Sequence, residues 1–222
     1  MAAVVDFRRG YGGLESRFYD AVIAPGTLAA SRRLLGLVSA AAPSGGRVLD
    51  VGCGGGQALM ALATTRPDLW VAGIDASPWL ARRAATRTSL GARVQVASAL
   101  ALPYADASLD VAYSLFSVKH WPDRRRGLAE CARVVRPGGR VLVADIDASS
   151  DLARWLAFVA LTRLPRLLRR PYAAATLLPV VRRSMDPDAL RRDAQGVGLG
   201  DLAVDADARL AVTWIIGTVP RR

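Results

Sequence analysis

The sequence predicts an α/β protein: a three-layer α/β/α sandwich around a mostly parallel seven-stranded sheet whose last strand is antiparallel. Short apolar runs typical of buried strands alternate with amphipathic helical segments, which is the pattern of a parallel sheet covered by helices. The chain has 222 residues, which suits a single α/β domain. It is 52% hydrophobic, enough to bury a large core, so disorder is not expected.

Turn residues and prolines divide this single domain, residues 1–222, into four parts. Residues 1–42 are expected to form an N-terminal helical cap, with a helix from about Leu28 to Ala41. Residues 43–147 carry the regular alternation of strands and helices. Residues 148–185 interrupt it with a segment rich in Leu and Arg, and residues 186–222 add a last helix and two strands.

The predicted elements follow from apolar runs and from their capping residues. Ser77 is placed as the N-cap of a helix that begins at Pro78, and Gly91 ends that helix. The predicted core strands are Arg47–Val51, Leu69–Ile74, Arg93–Ala97, Leu109–Leu115 and Arg140–Ile146. The predicted core helices are Gln57–Arg66, Pro78–Leu90 and Asp123–Val135. Two edge strands, Leu202–Val204 and Ala211–Val219, are expected to pair antiparallel.

The chain carries a formal net charge of +11, and nearly all its positive charge is arginine, with Lys119 the only lysine. A basic surface attracts nucleic acid, an anionic membrane or an anionic substrate. Codon bias in a GC-rich genome produces the same excess of arginine. The arginines are scattered along the whole chain, which favours codon bias, and nucleic acid is not an expected partner.

The cysteines and the apolar runs indicate a cytoplasmic protein. Cys53 and Cys131 lie far apart and outside any Cys-x-x-Cys pair, so neither a disulfide framework nor a metal site is expected. The N-terminal residues lack the apolar core of a signal peptide. Apolar runs fall short of the ~20 residues of a membrane-spanning helix. The nearest, Trp155 to Leu164, is flanked by Arg154 and Pro165, so no transmembrane segment is predicted.

The loop after the first predicted strand is rich in glycine. Gly52, Gly54 and Gly56 follow Val51 and open the next helix. Glycine lets the backbone turn tightly and approach a ligand without a Cβ in the way. The helix N-terminus adds unpaired N–H groups and the positive end of the helix dipole. The loop therefore predicts a polar ligand, whose identity these residues leave open.

Two well-known nucleotide-binding loops do not fit this spacing. A dinucleotide-binding loop requires Gly-x-Gly-x-x-Gly or Ala, and counted from Gly52 its last position falls on Gln57. A phosphate-binding P-loop requires Gly-Lys followed by Ser or Thr, which the sequence lacks. A nicotinamide-dependent reductase is therefore disfavoured.

Four motifs follow one another on the predicted core, across roughly residues 46 to 146. Asp50–Gly56 reads Asp-Val-Gly-Cys-Gly-Gly-Gly, and Gly73–Ser77 carries the acid that ends the second strand. Leu102–Asp110 begins Leu-Pro-Tyr and ends Ser-Leu-Asp, and Arg133–Gly139 ends in Pro-Gly-Gly. In this order they resemble the motifs of class I (Rossmann-like) S-adenosylmethionine-dependent methyltransferases of small molecules, of the type found in ubiquinone and menaquinone biosynthesis.

The resemblance implies S-adenosyl-L-methionine as the cofactor and a role for each motif. The methionine part would lie along Gly52, Gly54 and Gly56, with Asp50 orienting the loop or contacting the cofactor amine. Asp75 would accept hydrogen bonds from the two ribose hydroxyls. The other cofactor-binding residues that it implies are Ala76, Ser77, Ser98 and Ala99 near the adenine, and Ser114, with Leu115, facing the sulfonium.

Several of these residues have a structural alternative. Asp50 could serve only to stabilise the loop, and Asp75 only to stabilise the start of the next helix. Ser98 stands where many relatives carry Asp, and it would bond the adenine amino group more weakly than a carboxylate does. Cys53 is expected to be a small packing residue, because no partner base is in view.

His120 is the only histidine and the candidate catalytic base. It follows the fourth predicted strand, near the expected position of the transferred methyl, and a histidine suits proton transfer near neutral pH. Packing beside the following tryptophan is the alternative. Asp145 and Asp147 are weaker candidates for a base or a substrate contact. In relatives, the segment that holds Tyr11 and Tyr19 often closes over the cofactor.

The resemblance also gives the four parts their roles. Residues 43–147 would be the cofactor-binding core and residues 148–185 a substrate lid. Residues 151 to 192 hold nine arginines and three aspartates, a net charge of +6. The apolar stripe formed by Leu152, Trp155, Leu156 and Val159 predicts a small-molecule acceptor that is hydrophobic, or anionic. A helix pair that packs on the sheet explains the same residues, and a homodimer is a further expectation.

The predicted function is methyl transfer from S-adenosylmethionine to a small, hydrophobic acceptor, with O-, C- or N-methylation left open. An RNA or protein methyltransferase is the alternative enzyme, but the sequence has neither an RNA-binding module nor a basic tail. The stretch Ser114–Ser117 also differs from the Asn-Pro-Pro-Tyr-like residues that would indicate methylation of base amino groups. A non-catalytic S-adenosylmethionine-binding protein is the third alternative.

Overall fold

A computed structural model describes residues 13–88, 93–149, 151–181, 184, 186–207 and 209–221. It has a seven-stranded sheet of order β3-β2-β1-β4-β5-β7-β6. The strands are β1 (Arg47–Val51), β2 (Trp70–Asp75), β3 (Val94–Val96), β4 (Leu109–Leu115), β5 (Val135–Ile146), β6 (Gly200–Asp207) and β7 (Val212–Thr218). The helices are α1 (Gly13–Phe18), α2 (Ala24–Ala41), α3 (Gln57–Thr65), α4 (Pro78–Thr88), α5 (Arg124–Val134), α6 (Leu152–Ala160), α7 (Arg166–Val181) and α8 (Pro187–Gly196).

The sheet has the predicted mixture of strand directions. Strands β1 to β5 pair in parallel, and β7 runs antiparallel to both β5 and β6. The predicted fold class, including the antiparallel last strand, is therefore confirmed. The strand order reverses between β1 and β4. In open α/β sheets, such a switch point leaves a crevice at the carboxyl ends of the strands, where ligands bind.

Helices cover both faces of the sheet because consecutive strand residues point to opposite sides. Val48 and Val71 pack with α2 and α3 on one face. Leu49 and Ile74 pack with α5 and α8 on the other. All four side chains are almost completely buried, so β1 and β2 are held firmly from both sides and fix the positions of the loops that follow them.

The N-terminal helix is longer than predicted. A π-helical turn, Tyr19–Ile23, joins α1 to α2, so the helical run reaches back past Pro25. Proline has no N–H group to donate within a helix. Here Pro25 falls within the first two residues of α2, where it costs no helical hydrogen bond, and Ala24 N–H bonds to Tyr19 O. Pro25 is thus accommodated within the helical run, which begins before the predicted start at about Leu28.

Strand β5 begins earlier than predicted. The residues expected to form a Pro-Gly-Gly turn lie inside Val135–Ile146, where the register with β4 shifts between Leu109 and Val111. Gly138 adopts a φ of 81° there, and its N–H bonds to Val219 O at 2.8 Å. The turn is therefore an irregularity within a long strand, stabilised by the end of the chain segment that follows β7.

The helical run Ser16–Ala41 is long and apolar enough to cross a membrane by length and composition alone. This corrects the expectation that Trp155 to Leu164 is the nearest candidate, because counting uninterrupted apolar residues overlooks a longer helix with a few charges. Leu34 and Val38 of this run are buried against the sheet. A core helix satisfies the same criterion, so it is a weak indication of a membrane span.

Candidate functional site

A cavity of about 260 Å³ opens at the carboxyl ends of β1, β2 and β4. A smaller one, of about 40 Å³, lies beside it. Tyr19, Gly52, Gly54, Leu115 and Phe116 line both. The larger cavity is otherwise lined by Ile74, Asp75, Ala76, Ser77, Leu80, Ala97, Ser98, Ala99, Leu100, Ser117, His120, Trp121 and Pro122. The pair of cavities occupies the topological switch point of the sheet, where a ligand is expected.

The glycine loop between β1 and α3 has little room for side chains. Gly52 has a φ of 84°, and a Cβ there would collide with the side chain of Ser117. Gly56 has a φ of 82°, and its Cβ would lie 2.9 Å from Cα of Ala84 in α4. Gly52 therefore lets the side chain of Ser117 pack against the loop beside the cavities. Gly56, expected beside the cofactor, instead allows α3 and α4 to pack closely and does not line either cavity.

Asp75 braces the glycine loop and also lines the larger cavity. One carboxylate oxygen accepts a hydrogen bond from Gly54 N–H at 2.9 Å, and the other accepts one from Ser77 N–H at 2.8 Å. Burial raises the pKa of Asp75 even though these two hydrogen bonds lower it. Each carboxylate oxygen can accept a further bond, so a structural role and a role in binding ribose hydroxyls are compatible.

Asp50 is buried with one oxygen unpaired. Its Oδ2 accepts a hydrogen bond from the Tyr113 hydroxyl at 3.0 Å. Its Oδ1, beside the smaller cavity, has no hydrogen-bond partner within the described residues. Burial, with a smaller contribution from the charge of Asp75, raises the pKa of Asp50 to about 7. A buried carboxylate oxygen without a partner is costly, and a cationic ligand in the smaller cavity would supply one.

The two cavities are acidic in a strongly basic protein. Asp50 and Asp75 line them, whereas none of the described arginines, nor Lys119, does so. The chain as a whole has a net charge of +11. Opposite charges attract strongly where water is largely excluded. The site therefore favours a ligand that carries positive charge near the glycine loop.

The N-terminal helical run covers this loop. Tyr19 of the π-helical turn lines both cavities and bonds to Thr27, and burial raises its pKa to about 12. The next residue, Asp20, is buried and forms ion pairs with Arg87 at 2.7 Å and Arg83 at 3.2 Å. Gln57 donates to the same carboxylate at 2.6 Å. Burial opposes the ionisation of Asp20, but these donors outweigh it and lower its pKa.

This cluster was not found from the sequence. Gln57 was noticed only because it breaks the dinucleotide pattern, and the structure shows that its amide holds the N-terminal run against α3. Asp20 lies 37 residues away in sequence. No local pattern reports a contact at that separation. Tyr19 was considered, and it does lie over the site; Tyr11 lies outside the described residues.

The segment after β4 closes the other side of the larger cavity. Phe116 adopts a backbone φ of 61°, which residues other than glycine rarely adopt. Such strained residues cluster at functional sites and cost on the order of 1–3 kcal/mol. Ser117 accepts a hydrogen bond from Trp121 Nε1 at 3.2 Å. His120, on the 3₁₀ turn Val118–His120, lines the larger cavity together with Trp121. The candidate base is therefore part of the cavity wall.

Ser114 does not reach the cavity, contrary to the expectation. It is fully buried within β4, and its Oγ has no hydrogen-bond partner among the described residues. Side chains alternate along a strand, so Leu115 faces the cavity while Ser114 points away from it. The remaining predicted residues Ala76, Ser77, Ser98 and Ala99 all line the larger cavity. Ser77 Oγ accepts from Leu80 N–H at 3.4 Å, as an N-cap residue does.

The acids at the end of β5 are already engaged. Asp145 is fully buried and forms an ion pair with Lys119 at 2.7 Å. The same lysine donates to Phe116 O at 2.6 Å. Asp147 accepts hydrogen bonds from Ser149, and Arg154 lies 3.5 Å away. Neither acid lines a cavity, so their positions favour holding the segment after β4 rather than acting as a base.

The core matches a known family. Residues 49–143 match the family described as a methyltransferase domain. The chain is 38% identical over 145 residues to 27-O-demethylrifamycin SV methyltransferase of Amycolatopsis mediterranei, a match that covers 63% of this chain and 51% of the relative. It is 38% identical over 102 residues to demethylmenaquinone methyltransferase of Deinococcus radiodurans, covering 45% and 42% respectively. The chain spans about half the length of the curated relatives that it matches.

The fold is shared with solved structures. An S-adenosylmethionine-dependent methyltransferase from Thermotoga maritima superposes with a TM-score of 0.61 at 19% identity, over 91% of this chain and 93% of that one. At this identity the likeness shows the fold. The family match of residues 49–143, the similarity to curated methyltransferases and the shared fold confirm the predicted resemblance to class I S-adenosylmethionine-dependent methyltransferases.

The residues of the site fit the cofactor of that class. S-adenosylmethionine is cationic at its sulfur and at its amine and anionic at its one carboxylate, so its net charge is positive, and it has no phosphate. The unpaired Oδ1 of Asp50, the acid Asp75 and the lack of arginine and lysine among the described lining residues match this charge. Gly54, on the same loop, leaves open space, because a Cβ there would approach only the ring of Tyr19, at 3.8 Å.

The raised pKa of Asp50 predicts a specific dependence of stability on pH. The folded protein holds this proton up to about pH 7, whereas the unfolded chain releases it near 3.8. The folded state therefore loses stability as pH rises through this window, by at most about 1.4 kcal/mol per pH unit. Asp50→Asn removes this dependence. Urea unfolding of both proteins from pH 4.5 to 8 measures this. The free energy of unfolding of the variant, relative to that of the wild type, should increase as pH rises.

Tyr113→Phe is the matched control. It leaves the carboxyl group in place but removes the hydroxyl that lowers the pKa of Asp50. The upper limit of the pH-dependent window should then rise, while its lower limit, set by the unfolded chain, stays where it is. A difference between the wild type and Asp50→Asn that stays constant across the range would contradict the assignment.

Proposed function

We propose that this chain transfers a methyl group from S-adenosyl-L-methionine to a small, neutral, hydrophobic acceptor bound at the mouth of the larger cavity. The observation that carries the proposal is the charge of the site. The buried acid Asp50 and the half-buried acid Asp75 line the cavities within a basic protein, which suits a cationic cofactor. Phe116, Trp121 and Pro122 make the wall beyond them apolar.

The same lining sets the chemistry of the acceptor. The sequence left hydrophobic and anionic acceptors open. No described arginine or lysine lines either cavity, so an anionic group there would lack a counter-charge near Asp50 and Asp75. A neutral acceptor is favoured. The two relatives described above are named for methyl transfer involving 27-O-demethylrifamycin SV and demethylmenaquinone, which supports a small molecule.

The chain's own residues would orient the reactants and exclude water. When bound, the cofactor would supply a methyl carbon attached to a positive sulfur. An acceptor nucleophile would attack this carbon in line, and the sulfur would leave with the electron pair of the broken bond. Asp50 and Asp75 would hold its ammonium and its ribose. Tyr19 and Phe116 cover the site from two sides. Positioning of this kind lowers the activation free energy by ~7–11 kcal/mol in well-aligned systems.

We propose that His120 receives the acceptor's proton. It lines the cavity, on the turn that the Lys119–Asp145 ion pair holds in place. A nucleophile that loses its proton on methylation needs a base. Asp145 is fully buried in its ion pair, which leaves His120 as the base that we propose.

The location and assembly of the protein are part of the proposal as well. A cytoplasmic location is supported by the two cysteines, which are free and buried. The homodimer remains a prediction from the sequence, to be tested by light scattering.

Asp75→Asn should weaken the binding of S-adenosylhomocysteine by about 10- to 100-fold, because it removes one or two charge-assisted hydrogen bonds of ~1.5–3 kcal/mol. Calorimetry on the full chain measures this affinity. Asp106→Asn is the control, since that side chain is exposed and lies outside both cavities. Wild-type affinity in Asp75→Asn, with a normal unfolding transition, would remove Asp75 from the site.

His120→Gln should lower kcat by about 10²- to 10⁴-fold on a panel of phenols and hydroquinones, the range expected for loss of a general base. The affinity for S-adenosylhomocysteine should stay within about twofold, because the substitution leaves Asp50 and Asp75 intact. An unchanged kcat and pH profile on an accepted substrate would show that His120 is not the base.

A further inference from the structure

The loop between α6 and α7 and the first turn of α7, residues 161–170, form a surface that we call the hairpin tip. Three of its four leucines face solvent: Leu161, Leu167 and Leu168 are 38%, 79% and 45% exposed. Arg163 and Arg166 are exposed between them. An apolar cluster in solvent with charged residues around it marks an interaction surface.

The leucines face outwards although the hairpin has a well-packed inner side. Trp155 and Phe158 of α6 stack with ring centroids 5.1 Å apart. Trp155 Nε1 donates to Thr176 Oγ1 of α7 at 3.0 Å. Leu164 and Ala173 are buried. The exposed leucines are therefore a second face of an ordered hairpin, not residues that lack a core to join.

The apolar surface continues onto the N-terminal helical run. Arg163 N–H bonds to Val22 O at 2.9 Å, so the tip abuts the π-helical turn. Leu14 and Phe18 precede Val22 at four-residue spacing, which places them along one side of the run. They are 82% and 46% exposed. The exposed leucines and Phe18 thus belong to one side of the molecule.

The charge of the hairpin tip is positive and uncompensated. Residues 152–185 contain seven arginines and neither Asp nor Glu. Within the described part of the chain, no ion pair is formed by Arg163, Arg166 or Arg170. At the base of the hairpin, by contrast, Arg154 lies near Asp147 and Asp151. The cations at the tip are left to interact with something outside the chain.

We propose that the hairpin tip, together with Leu14 and Phe18, binds the surface of a bilayer that contains anionic lipids. The leucines enter the interface between headgroups and acyl chains, and the arginines pair with lipid phosphates. Leucine beside arginine is the composition that suits such interfaces, and cations near an anionic leaflet are attracted to it.

Charge decides between a bilayer and other occupants. A second copy of this chain that docked through the same side would bring two arginine-rich, acid-free hairpins together, and like charges would oppose that contact. Nucleic acid is bound through phosphate contacts and base stacking on aromatic rings. The tip offers leucines instead of aromatic side chains, which favours lipid.

The surface adjoins the proposed active site. Phe18 directly precedes Tyr19, which lines both cavities. Phe158 of α6 packs on Phe116, a wall residue, with ring centroids 5.6 Å apart. A bilayer on this side would bring an apolar acceptor dissolved in lipid close to the cavity. Bilayer binding itself rests on the surface residues alone and not on the proposed methyl transfer.

Co-sedimentation of the full chain with lipid vesicles tests the proposal without cofactor or acceptor. Binding is expected to vesicles of phosphatidylglycerol and phosphatidylcholine, to weaken as salt rises, and to be at least about 10-fold weaker on phosphatidylcholine alone. The variant Arg163→Gln/Arg166→Gln/Arg170→Gln should bind about 100-fold more weakly. Leu167→Gln/Leu168→Gln should bind at least about 10-fold more weakly.

Matched variants control for overall charge and hydrophobicity. Arg32→Gln/Arg82→Gln/Arg191→Gln has the same net charge as the arginine variant, but its exposed arginines lie on α2, α4 and α8. Met60→Gln replaces an exposed apolar residue of α3. Both controls should bind vesicles like the wild type. All variants should keep wild-type affinity for S-adenosylhomocysteine, which separates this test from that of the proposed function.

Three results would overturn the proposal. The first is no binding to the anionic vesicles in 0.1 M salt. The second is an equal loss of binding in the tip variants and their controls, which would indicate attraction by net charge alone. The third is absence of vesicle binding together with a change from dimer to monomer in the tip variants, which would make this side an interface between two copies.

Discussion

The hydrogen bond from Gly54 N–H to Asp75 links the two motifs on which the site depends. It joins the loop after β1 to the acid that ends β2, at 2.9 Å. The loop can take this path because Gly52 adopts a φ of 84° and carries no Cβ to meet Ser117. The cavities, their acidic floor and the position of α3 all follow from this arrangement. A larger residue at position 52 would have to displace Ser117 or the loop itself.

The site also contains two features that lower the stability of the folded protein. Asp50 is buried with an unpaired oxygen and a pKa of about 7, and Phe116 adopts a strained backbone conformation. Both features cost stability in the protein alone. A cationic ligand beside Asp50 would offset the first of them, so ligand binding and stability should be coupled. Surrounding contacts hold the strain in place, notably the Lys119–Asp145 ion pair.

The sequence predicted the fold and most of the cavity because both depend on local patterns. Strand alternation, glycine spacing and the acid after β2 are all read within a few residues. It missed the cluster around Asp20, since Arg87 and Gln57 lie far from it in sequence. Of the two neighbours that it placed at the cavity, Leu115 lines it and Ser114 does not, because the face of a buried strand cannot be read where both faces are apolar. Gly56 fits the motif but serves helix packing instead.

The division of charge within the molecule ties these features together. The surface is basic, whereas the cavities carry two acids and no arginine or lysine among the described lining residues. A cofactor with phosphates would meet the wrong charge, whereas the ammonium group that S-adenosylmethionine and S-adenosylhomocysteine share would meet the right one. Calorimetry of the full chain with S-adenosylhomocysteine and with NAD⁺ compares the two most directly. The account predicts one-to-one binding of the thioether nucleoside and none of the dinucleotide. Binding of NAD⁺, or no binding of S-adenosylhomocysteine, would contradict it.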